Sequence, residues 1–275
     1  MKTLLVPSLI ASTLVLAGCG APDQSAMSCF NPNIYQDGNE YLMVELADNQ
    51  PTNYLFTTLQ TGNKPQSTGK DPLPLGKELQ RTWLVKSGEE GMAISQTLAI
   101  DAENKNFALQ SGEQDFLSSK IKREADGAPQ LIDFNFANKG QSRSSNFSYL
   151  TESTLDNDPP QHVTLDFKQT TTFHGIESLT TPAGTFSTCH MELKTEVKNA
   201  EYGKRHQLTV NTWYAQQLGI PVQLSVLFEA EPSPDQYQLI QAKVDDKTFM
   251  PTQADIEKLQ LAEALNFAKS SGSTL

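Results

Sequence analysis

The 275-residue chain carries 21 Lys and Arg against 32 Asp and Glu, a formal net charge of −11 at pH 7. A pI near 4.8 argues against nucleic acid as a partner, and against anionic headgroups met through a basic face. The charges are scattered, which reads as solubility, and the length suits one large domain.

At the N-terminus Lys2 precedes an apolar stretch over residues 4–17, which ends in small residues. That layout is a secretory signal, and the stretch is shorter than the about 20 residues that cross a bilayer. Leu16-Ala17-Gly18-Cys19 resembles the lipobox of bacterial lipoprotein precursors. The resemblance implies that residues 1–18 are removed and that Cys19 is acylated. Each buried methylene contributes about 0.8 kcal/mol, so two or more chains anchor a protein stably. Gly20, where aspartate retains many such proteins in the inner membrane, implies the periplasm-facing leaflet of the outer membrane. The alternative is an ordinary signal peptide that releases the protein. Residues 19–28 read as a lipidated tether, spanning about 30 Å at roughly 3.3–3.6 Å per residue.

Residues 29–275 read as a single β-rich domain. Period-2 alternation predicts strands at 41–47, 53–59, 79–86, 92–101, 106–110, 116–123, 130–137 and 145–151. Residues 61–76, with three prolines and three glycines, form a long loop, the kind that often carries function. Within 130–137, Ile132, Phe134 and Phe136 share one face. After a turn at 156–160 the alternation resumes at 163–167, around Cys189, at 206–215, at 220–228 and at 236–245. The fold class is therefore mainly β: a large curved antiparallel sheet, a half-barrel or open barrel.

The C-terminus differs. Thr252, three residues before Asp255, predicts the start of a helix over about 253–269. Leu261, Ala264, Leu265 and Ala268 follow at helical spacing, and the open face of the sheet is their expected seat.

Lipidation of Cys19 leaves Cys29 and Cys189, an even pair in an oxidising compartment. Cys189, Met191, Leu193, Thr195 and Val197 share one parity, so the thiol faces inward on a half-buried strand. Two readings stand: a Cys29–Cys189 disulfide, worth roughly 5 kcal/mol by loop entropy, or two separate buried thiols.

Two segments carry a second resemblance. Glu177-Ser178-Leu179-Thr180-Thr181-Pro182-Ala183-Gly184-Thr185-Phe186-Ser187-Thr188-Cys189 and Trp213-Tyr214-Ala215-Gln216-Gln217-Leu218-Gly219-Ile220 resemble a motif pair of uncharacterised bacterial envelope lipoproteins. The resemblance implies a half-barrel, similar in shape to the periplasmic lipoprotein carrier and its outer-membrane receptor. Gln216 and Pro221 depart from the pattern.

Chemical motifs are sparse in the chain. No nucleophile elbow, phosphate loop or Cys-x-x-Cys pair occurs. His162, His174, His190 and His206 lack metal-ligand spacing, and Asp101, Glu103 and Asn104 read as a polar turn. The expectation is no enzyme, no cofactor and no metal. Trp213 shares parity with Gln207, Thr209 and Asn211, so it either packs under the helix or lines a ligand cleft; Trp83 invites the same readings. The resulting expectation is a non-enzymatic outer-membrane lipoprotein whose sheet shelters an apolar or amphipathic ligand. The alternative is a structural or assembly module that docks another envelope protein.

Overall fold

The computed structural model describes residues 24–47, 50–61, 78–88, 90–115, 119–155, 158–199 and 205–275. Cys19, the signal segment and the 61–76 loop beyond Thr61 lie outside the described residues. Among the described residues, fourteen strands form one antiparallel sheet. They are β1 (Asn39–Ala47), β2 (Gln50–Thr61), β3 (Glu78–Ser87), β4 (Glu90–Asp101), β5 (Asn106–Asp115), β6 (Ser119–Ala125) and β7 (Gln130–Asp133). The second half contributes β8 (Ser142–Leu155), β9 (Gln161–Thr181), β10 (Gly184–Asn199), β11 (Arg205–Ala215), β12 (Pro221–Phe228), β13 (Asp235–Val244) and β14 (Lys247–Phe249).

The large curved antiparallel sheet expected from the alternation is the observed architecture, and its edges meet. β1 pairs with β13, closing β1–β6 and β8–β13 into a barrel; β7 pairs with β5 and β14 with β13. The curvature has local causes. Register shifts at Leu42/Met43, Thr97/Leu98, His190/Met191 and Trp213/Tyr214 insert bulges that bend the strands. Gly175, opposite His190, takes a φ of +114°, a conformation open to glycine and strained for other residues. Pro221 stands at the first residue of β12, where a missing N–H is tolerated.

Alternation sorts the side chains. On β1, Tyr41 and Met43 face the interior, while Leu42 and Val44 face out. Much of the outer wall is polar, with Lys122 and Glu124 on β6, Ser144, Asn146 and Ser148 on β8, and Thr164, Asp166 and Lys168 on β9. A lipid-facing barrel carries an apolar outer band instead.

One end of the barrel is plugged from within. A 3₁₀ turn at Ala26–Cys29 leads into Phe30, Ile34 and Tyr35, which pack against Phe107, Phe134, Phe136 and Tyr214. Ring centroids lie 5.0 Å apart for Phe30–Phe107, 5.1 Å for Tyr35–Phe107 and 4.9 Å for Phe134–Tyr214. The plug is tied to its surroundings at several points. Ala26 N–H donates to Phe136 O at 2.9 Å, Gln217 N–H to Ser28 O at 2.8 Å, and Asn31 Nδ2 to Leu218 O at 3.0 Å. A disulfide joins Cys29 to Cys189, with Cα atoms 6.2 Å apart. Gly219 is held to glycine twice over: its φ is +74°, and an added Cβ would sit 2.8 Å from Asn31 Cβ.

The structure departs from the sequence expectation at three points. The strand expected over 130–137 ends at Asp133, because Phe134 and Phe136 leave the sheet to fill the plugged end. The single helix expected over 253–269 is two, α1 (Gln253–Lys258) and α2 (Ala262–Ser270), broken where Gln260 adopts a φ of +54°. Its start is as read: the Thr252 hydroxyl accepts from Asp255 N–H at 3.1 Å. Its seat is the outer wall and not the concave face. Leu261, Ala264 and Ala268 cover Leu42, Val44, Phe56 and Ile240, an outward apolar patch that closure of the barrel leaves needing a lid.

Candidate ligand site in the barrel lumen

The C-terminal ends of β1, β3, β5, β8, β10 and β12, and the N-terminal ends of the strands that follow β1, β3, β5, β8, β10 and β12 in sequence, lie at the end opposite the plug. Strand register identifies what faces the lumen there. Leu79 belongs to the packed core, so Arg81, Trp83 and Val85 on the same parity also point inward. By the same rule Met92, Ile94 and Gln96 point in from β4, and Ile121 and Arg123 from β6. Val163 and Leu165 do so from β9, Leu193 from β10, and Val210 from β11.

These inward apolar side chains are only half-buried. The wall screens them from outside, so their exposure opens into the lumen. At the rim the effect is larger: Leu155 and Phe228, both on the inward parity, are 47% and 46% exposed. Barrels of about eight strands are filled by their own side chains, whereas wider ones enclose ligand space. Here the plug fills one half of a wider barrel, and the apolar side chains of the other half are only half-buried.

Two arginines enter that wall at one level. Arg81 lies opposite Gln96, Gln96 opposite Gly112, Gly112 opposite Arg123, and Arg123 opposite Thr151, a single row across β3, β4, β5, β6 and β8. The Arg81 guanidinium donates to Gln96 Oε1 at 3.0 Å and 2.5 Å and lies 4.5 Å from the Trp83 ring centroid. Arg123 is less well served. Its Nε and the neighbouring Thr151 hydroxyl are buried without a hydrogen-bond partner, as are Trp83 Nε1 and the Thr57 hydroxyl opposite it. Burial pulls the Arg123 guanidinium below its usual range, and pushes the nearby Tyr149 hydroxyl, which donates to Leu109 O at 3.0 Å, up to about 12.

Trp83 therefore lines the lumen, below Arg81 toward the mouth. Trp213 lies elsewhere. It shares parity with Asn211 on the outer wall, and its ring stacks on His190 at 4.2 Å and 15°. Its Nε1 donates to the Glu177 carboxylate, and the terminal helices cover a different part of the wall. The histidines meet carboxylates in a different pairing from sequence proximity: His190 Nδ1 lies 3.5 Å from Glu177 and His174 Nε2 lies 3.7 Å from Glu192. A separate cavity of about 460 Å³ opens beside β7, but its charged lining is spoken for, since Arg143 pairs with Asp133 at 2.9 Å.

Reading the charges as scattered and solvated missed the inward arginines. The signal was present: Leu79, Arg81, Trp83 and Val85 alternate as one face, and Ile121, Arg123 and Ala125 as another. An arginine on an apolar parity is the feature that marks them.

No family model matches the chain, and no curated protein matches it. Two solved structures are similar in outline. One is a "putative lipoprotein" from Parabacteroides distasonis, at 13% identity and a TM-score of 0.47 over 76% of this chain and 96% of that one. The other is a "putative exported protein with YmcC-like fold" from Bacteroides fragilis, at 14% identity and a TM-score of 0.49 over 78% and 98%.

Proposed function

We propose that this protein is a non-enzymatic, lipid-anchored envelope lipoprotein whose barrel lumen holds an amphipathic ligand. The observation that carries the reading is the half-exposed apolar inner wall ending in Leu155 and Phe228 at the rim. Uncovered apolar surface costs about 25 cal/mol per Å² relative to burial, so an acyl chain is its natural cover. The anchor reading fits this geometry. Gln24 belongs to the plugged end, and the five residues back to Cys19 span at most about 18 Å, so that end is held near the membrane and the mouth lies at the far end.

Gly112 supplies a test. It lies on the inner wall, and a Cβ there would meet only Ser95 O at 3.6 Å and Gln96 Cγ at 3.7 Å, ordinary contacts. Gly112→Phe therefore puts a ring into the lumen without backbone strain. An organic-solvent extract of the purified lipoprotein should contain close to one equivalent of lipid beyond the covalent chains. The G112F protein should fold and lose that lipid. An extract empty for the wild type, or equally loaded for the variant, would count against the reading.

A further inference from the structure

The row that crosses the inner wall says which end of an amphiphile goes in first. Arg81 and Arg123 stand three strands apart on it, about 14 Å along the wall at roughly 4.8 Å per strand. Gln96, which accepts from Arg81, and the bare backbone of Gly112 lie between them, so the row has one position without a side chain, next to Arg123. Among the described residues, no carboxylate lies within ion-pair distance of either guanidinium. Unpaired charge inside a low-dielectric wall is costly, and the pattern is unexpected in a chain with 32 acidic residues against 21 basic. Arg123 Nε and the Thr151 hydroxyl beside it are buried without protein partners, which adds two unused polar groups at the same level. Next toward the mouth comes the row Trp83, Ile94, Gln114 and Ile121, then Val85 and Met92, so the wall over β3–β6 is mainly apolar from the arginines outward.

We infer that the lumen binds a single-tailed acyl amphiphile with an anionic headgroup, seated head-inward between Arg81 and Arg123 with its tail running toward Leu155 and Phe228. This rests on the proposed ligand-binding function and specifies its ligand. The headgroup, a carboxylate or a phosphate, accepts from two guanidinium groups that no described carboxylate neutralises, and Arg suits both through its forked geometry. The tail covers Ile94, Ile121, Val85 and Met92. A neutral lipid of equal chain length would gain the tail contacts and leave both cations unpaired. The discrimination is therefore by charge and not by chain.

The test uses the full chain carrying Cys19→Ser, so that the anchor's own acyl chains stay out of the assay. The lumen is loaded with the neutral fluorophore N-phenyl-1-naphthylamine, then titrated with oleate, oleoyl lysophosphatidate or monoolein. At least one anionic lipid should displace the probe at a concentration tenfold or more below monoolein, and the better of the two identifies carboxylate or phosphate. Arg123→Met should narrow that gap to threefold or less with the monoolein midpoint unchanged. Its ligand-free melting temperature should be equal to or above that of the parent, because an unpaired buried charge has gone. Equal displacement by all three lipids, an unchanged gap in R123M, or a lowered melting temperature that points to a structural partner would overturn the inference and leave the ligand-binding function standing. Absence of any probe binding would overturn both.

Discussion

Replacing Cys29 and Cys189 together by serine should lower the unfolding free energy by about 5 kcal/mol. The bond joins residues 160 apart in sequence, and the entropy released to the unfolded chain grows with the loop it had closed. Both sulfurs belong to fully buried residues, one in the plug and one on β10, so the bond fastens the first ordered segment to the middle of the barrel. The variant's denaturation midpoint, read by guanidinium titration beside the oxidised parent, measures the effect. A shift worth less than about 1 kcal/mol would mean that hydrogen bonds such as Asn31 Nδ2 to Leu218 O hold the plug without covalent help.

Phe134→Ala should cost about 3–5 kcal/mol, the range for emptying a packed aromatic site. Phe134 is 2% exposed and its ring stands among Phe30, Phe107 and Tyr214. It packs on Phe30, the residue that follows the disulfide-bonded Cys29. The two changes should therefore couple: once the Cys29–Cys189 bond is gone, removing the ring should cost visibly less than in the parent, because the segment it packs against is already loosened. A double-mutant cycle with additive effects would show that plug and barrel wall respond independently.

Much of this architecture was legible in the chain because the barrel wall imposes one rule on every strand. Where one face is buried and the other polar, period-2 alternation survives into sequence, as in Val222, Leu224 and Val226 or in the Cys189 strand. Closure was not legible, since β1 and β13 are joined by register and bulges rather than by composition. The rule also failed where residues with strand periodicity serve another layer. Phe134 and Phe136 alternate like a strand yet are pulled out of the sheet by the space the wide barrel must fill. Leu261, Ala264 and Ala268 were read as one helical stripe, but the turn at Gln260 splits the helix and lets both parts follow the curved outer wall. Trp213 stood out on a polar face, and what covers it is a histidine from the neighbouring strand, a pairing that only register reveals. Trp83 was equally visible, but its place beside Arg81 and its unpartnered indole N–H depend on which side of the wall β3 presents.

Those two tryptophans give the most direct measurement of the central claim, that the mouth half of the lumen takes up an acyl chain. They are the chain's only two, one inside the wall and one outside. In the Cys19→Ser full chain, Trp213→Phe leaves Trp83 to report on the lumen, and Trp83→Phe leaves Trp213 to report on the outer surface. Titration with 9,10-dibromostearate, whose bromines quench on contact, should extinguish most of the Trp83 emission at about one equivalent and leave Trp213 bright. Quenching of Trp213 alone, or of neither, would contradict the account.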